Sequence, residues 1–83
     1  MNQQLAGWLY EGAVALTKGN KERALDLLMR VVSEDEEIPE AWLWLSGAVD
    51  DPDDQRTALE NVLALDPNNP HARHGIAVLD GKA

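Results

Sequence analysis

The sequence predicts an all-α fold of antiparallel helical hairpins, five helices in all, and three observations carry that prediction. Trp8-Leu9-Tyr10 returns 34 residues later as Trp42-Leu43-Trp44, and an apolar-aromatic triplet recurring at that interval marks a helical-hairpin repeat. Apolar residues elsewhere fall at helical spacing, as in Ala24, Leu27, Leu28, Val31 and Val32. Between these runs stand Gly19-Asn20, Asp51-Pro52, Asp66-Pro67 and Asn69-Pro70, steps that stop one helix and start another.

Each element has its basis in its own residues. The first helix is expected over about 3–18, with Leu5, Trp8, Leu9, Gly12, Ala13, Ala15 and Leu16 near one stripe. Gly19 accepts the left-handed backbone of a helix stop, and Asn20 is placed to cap the next helix. That second helix, about 21–34, buries the Ala24–Val32 stripe and turns Lys21, Glu22, Arg23, Asp26 and Arg30 outward. The acidic run Glu34-Asp35-Glu36-Glu37 then suits the approach to the positive end of a third helix, where Pro39 takes the first turn. From Ala41 to Leu45 that helix is apolar all round, so it should be covered on more than one side. Asp51 caps a fourth helix with Pro52 at its first position, running to about residue 65 with Ala58, Leu59, Val62, Leu63 and Leu65 apolar. Asp66-Pro67-Asn68-Asn69 breaks it, a fifth helix covers about 70–80 with Ala72, Ile76, Ala77 and Leu79 inward, and Gly81-Lys82-Ala83 forms a tail.

The second and fourth helices repeat at a different interval, 31: Leu28 matches Leu59, Val31 matches Val62, Asp35 matches Asp66 and Pro39 matches Pro70. The expectation is that the turn inside the second hairpin has lost three residues, since turns absorb length changes. On these residues the chain resembles the tetratricopeptide (TPR) family of helix–turn–helix repeats. Trp42, Leu45 and the small Ser46 match its first helix, and Ala24 its small mid-repeat position. The segments Ala41–Leu45 and Leu63–Asn69 look like those of TPR-like modules in bacterial proteins. Glu36 departs from the family's terminating proline. The resemblance implies about two and a half repeats stacked as a short right-handed solenoid: repeat one about 3–37, repeat two about 38–69, a capping helix about 70–80.

Length and charge narrow the function. The chain of 83 residues has the size of one small domain, and such a chain buries only about 60–65% of its unfolded surface, so its core is marginal. It has no cysteine, which removes disulfides and thiolate metal sites. Fifteen Asp and Glu against seven Lys and Arg give a formal charge of −8. That field repels phosphate backbones and anionic lipid, so neither nucleic acid nor membrane is an expected partner. Residues 1–10 lack the basic start of a secretory signal, and a cytoplasmic protein is the expectation.

Chemistry-bearing residues are sparse. His71 and His74 share a helical face, but a metal site needs three or four ligands, so they read as two polar residues on a terminal helix. Asp50, Asp51, Asp53 and Asp54 lack the glycine and glutamate of a calcium loop, and helix capping explains them. Ser46 sits at a packing position, and a triad would need it exposed beside His74. No Gly-Lys-Ser/Thr phosphate loop is present. No catalytic residue, metal or cofactor is therefore expected. The resemblance instead implies a non-catalytic adaptor whose first helices line a concave face. By position that face takes Ala6, Leu9, Ala13 and Leu16, then Glu40, Leu43, Gly47 and Asp50, then His71, His74 and Val78. It is apolar with acidic edges, and it lacks the basic clamp with which some family members hold a terminal carboxylate. The expected partner is a protein segment, helical or extended, with apolar and basic side chains. Trp8 and Trp42 are expected to pack between helices, while Tyr10 and Trp44 are the candidates for exposed aromatic contacts. The alternative is a structural homo-oligomer, a homodimer in the simplest case, whose assembly completes the core.

Overall fold

In a computed structural model, residues 2–81 are described. The tail expected at Gly81-Lys82-Ala83 lies, beyond Gly81, outside the described residues. These residues form five helices and no strand: α1 (Gln3–Thr17), α2 (Lys21–Glu34), α3 (Pro39–Ala48), α4 (Pro52–Leu65) and α5 (Pro70–Leu79).

Side chains set most of the helix starts. Asn2 accepts from the Leu5 N–H, Asn20 from Arg23, Asp51 from Asp53 and Asn69 from Ala72, at 2.8–3.2 Å. Each such cap satisfies a backbone donor the helix cannot, typically about 1 kcal/mol. For α3 the preceding residue is Ile38, which offers no cap, and Pro39 removes one donor instead. Gly19, at φ +81°, closes α1: its N–H donates to the Leu16 carbonyl at 3.0 Å and that of Asn20 to Ala15 at 2.9 Å. This pairing ends a helix with its last carbonyls satisfied.

Consecutive helices pack against one another, and α1 also meets α3. The molecule spans 37 × 25 × 17 Å, and its least dimension fits two helix layers 8–10 Å apart. Two apolar clusters form the core. Leu5, Ala15, Ala24, Leu28, Val31 and Leu45 belong to the larger, and Leu59, Val62 and Ala72 to the smaller. Trp42 packs against both and joins them. No polar side chain is buried among the described residues.

The structure relocates the trimming of the second hairpin. The turns inside the two hairpins are equal, residues 18–20 and 49–51, as are the connections 35–38 and 66–69. What is shorter is the first helix, 10 residues in α3 against 15 in α1. The echo also slips. Burial in α1 repeats in α3 at an interval of 33: Leu5 with Ile38, Gly12 with Leu45, Ala15 with Ala48. At the sequence interval of 34, exposed Glu11 would stand for buried Leu45. One residue is about 100° around a helix, so the matching triplets do not face the same way.

Candidate functional site

Two neighbouring depressions open beside α3, the first walled from α1, α3 and α5 and the second from α3, α4 and α5. The first, of about 420 Å³, is walled by Leu16 from α1, by Glu40, Leu43, Trp44 and Gly47 from α3, and by His71 from α5. Its neighbour, of about 300 Å³, lies toward the end of the chain over Leu59 of α4 and Gly75 and Val78 of α5. Leu43, Ser46 and His71 belong to both. This face exists because α3 carries Glu40, Leu43, Trp44 and Gly47 on one side and Trp42 and Leu45 on the other.

Small residues set the depth. Gly47 leaves room that a side chain would fill, since a Cβ there would stand 3.1 Å from a Leu16 methyl. Gly75 is tighter: a Cβ would meet Leu59 Cδ1 at 2.8 Å. The Ser46 hydroxyl donates to the Leu43 carbonyl at 2.6 Å and is thereby occupied within its own helix. Neither depression is lined by a lysine or arginine. Lys21 binds Asp50 at 2.6 Å, Arg30 binds Asp26 at 3.1 Å, and Arg23 lies 3.8 Å from Glu11. Arg56 donates to Asp80 at the end of α5. That hydrogen bond, and then the carboxylate's charge, raise the Arg56 pKa above its ordinary value, so the pair keeps its cation.

The sequence-expected face is gathered only in part. Leu16, Glu40, Leu43, Gly47 and His71 converge on the first depression, and Val78 lines the second. Five expected members line neither. Leu9 packs against the larger core cluster, because the one-residue slip puts it in phase with Trp42 rather than Leu43. Ala13 is half-buried on α1. Asp50 lies in the turn after α3 and is drawn to Lys21 at the start of α2. His74 is exposed on α5. Ala6 is likewise exposed outside both depressions.

The aromatic residues divide. Tyr10 is 72% exposed and Trp44 37%. Trp8 is half-buried against the larger cluster, with the Arg30 guanidinium 5.9 Å from its ring centre. The Trp42 indole N–H donates to the Glu36 carbonyl at 2.8 Å, pinning the acidic connection.

Sequence reasoning missed a second cleft of about 420 Å³ on the other side of α3. Leu25 and Met29 of α2 face Thr57 and Ala58 of α4 across a floor of Trp42 and Leu45. Met29, an apolar residue off the stripe of Ala24, Leu27, Leu28, Val31 and Val32, was the available signal. Among the described residues no three His, Asp or Glu side chains are grouped so as to hold a metal, and no helix is long and apolar enough to cross a membrane. Comparison with protein-family models, curated proteins and solved structures gives no significant match to this chain.

Proposed function

We propose that this chain is a non-catalytic interaction module of TPR-like design, its hairpins stacked as a short solenoid, which holds a segment of a partner protein across the face shared by α1, α3 and α5. One observation carries the reading: Leu16, Leu43, Trp44 and Gly47, from two helices, open an apolar depression edged by Glu40 and His71. A concave, mostly apolar site with a few polar groups at its edge is the usual form of a binding site. The charge of −8 favours a partner with basic side chains.

The test is affinity capture from native lysate with the unaltered chain, a Leu43→Glu variant and a Gly47→Gln variant, each first shown to be helical by circular dichroism. Partners retained by the unaltered chain and lost by both folded variants support the reading. Partners held equally by all three place the contact elsewhere. If Leu43→Glu unfolds while Gly47→Gln folds, Leu43 is core, and Gly47→Gln alone decides.

A second reading, self-association, is favoured by a different observation. Tyr10 on the first helix and Val78 on the last are large apolar side chains left more than half exposed. Sedimentation over a concentration range tests it, and a monomer at the highest concentration rejects it.

A further inference from the structure

The depressions on the α1–α3–α5 face restrict the form of what can lie there. Resting on the proposal that this face is a binding face, we infer that its occupant is a basic amphipathic α-helix laid across α3, with apolar anchors seven residues apart. Three observations lead to this.

The first is spacing. The two depressions adjoin at Leu43, Ser46 and His71. Furrows on a surface of packed helices repeat at about the interaxial distance, 8–10 Å. Two anchors one furrow apart match positions i and i+7 of a helix, about 10.5 Å, or i and i+3 of an extended chain, about 10 Å.

Backbone chemistry separates those two. An extended segment brings unpaired N–H and C=O groups into an apolar groove, where each needs a partner. The walls offer almost none. Glu40 stands at the edge, the Ser46 hydroxyl is already bonded to Leu43, the Gln55 amide of the second depression donates to the Val49 carbonyl, and His71 is the remaining polar side chain shared by both depressions. A helix satisfies its own backbone and asks the groove only for apolar contact.

Charge sets the flanks. A helix crossing α3 presents its two sides toward the two ends of α3. Glu34, Asp35, Glu36, Glu37 and Glu40 stand at one end. Asp50, Asp51, Asp53 and Asp54 stand at the other. Basic residues on both sides of the apolar stripe therefore complement the surface.

The experiment uses four synthetic peptides of about 15 residues, four turns of helix, rich in lysine and alanine and blocked at both ends. One carries two leucines seven positions apart. A second keeps them with two interior prolines that prevent a helix. A third, also proline-broken, has its leucines three positions apart. The fourth is helical with leucines five positions apart, on different faces. Affinity for the isotope-labelled chain is measured with amide and indole shifts. The expected result is that the first peptide binds at least about tenfold tighter than the others, a difference of about 1.4 kcal/mol, shifts Gly47 and the Trp44 indole, and loses binding to Gly47→Gln. An extended peptide binding as tightly at the same signals overturns the helical occupant and leaves the binding face standing. Equal binding of the first and fourth peptides overturns the two-anchor spacing. Binding that moves Met29 and Thr57 and ignores Gly47→Gln overturns the face itself. No measurable binding by any peptide overturns the inference, and the face is then judged on the lysate comparison.

Discussion

Two glycines in α1 show how far a single side chain depends on its surroundings. Gly7 is exposed, and a Cβ there meets nothing within 4 Å. Gly7→Ala should raise stability by about 0.5–1 kcal/mol by removing unfolded-chain freedom, read as a Tm increase of several degrees. Gly12 is buried, and its Cβ would stand 2.9 Å from Leu28, a side chain with no exposed surface. Gly12→Ala should therefore lower stability by about 1–2 kcal/mol despite the same gain in helix propensity. Trp42 bears on both core clusters, whereas Trp44 is partly exposed on the groove wall. Trp42→Ala should cost about 3 kcal/mol in urea unfolding, and Trp44→Ala under about 1 kcal/mol. The sequence could not separate these aromatic pairs. Trp8-Leu9-Tyr10 and Trp42-Leu43-Trp44 agree in pattern, yet burial places them one residue out of phase. Glu11, standing where buried Leu45 would require an apolar residue at an interval of 34, was the legible warning.

Among the elements, α5 is held least. Ala72 is its only buried apolar residue, and the cluster it joins contains Leu59 and Val62 besides. Half-buried Ile76 and Leu79 pack against the same cluster, and the Arg56–Asp80 pair ties the end of the helix to α4. Amide exchange should accordingly be fastest in α5 and slowest in α2, whose Ala24, Leu28 and Val31 are wholly buried. Arg56→Ala should speed exchange in α5 several-fold and leave α2 unchanged; equal acceleration in both would show that the helices open only together. Helix extents were legible because Asn20, Asp51, Asn69 and the prolines act locally. The length of α3 was not. A repeat interval counts residues without saying which element lost them, and only the equal turns at 18–20 and 49–51 assign the loss to the helix.

At the scale of the whole molecule, charge separates the two functional readings. A chain at −8 repels its own copy and attracts a cationic segment. Raising salt from about 50 to 500 mM, which shortens the screening length from above 10 Å to a few Å, should weaken binding of a basic peptide several-fold. Any self-association through Tyr10 and Val78 should strengthen over the same range. Titrations and sedimentation at both salts check the two signs, and salt-independent peptide binding would remove charge from the account. The groove was half legible beforehand. Leu43, Gly47 and Glu40 came from the period of α3, but Leu9 depended on a phase that matching letters did not reveal. Leu43 also has a second position: besides walling both depressions, it packs against the small cluster that anchors α5. A body seated on Leu43 therefore bears on the same side chain that holds the last helix in place. Occupancy and the docking of α5 are thermodynamically linked, so a ligand would slow the opening of this helix before it measurably changed the rest, and loosening the helix would weaken the ligand by the same factor.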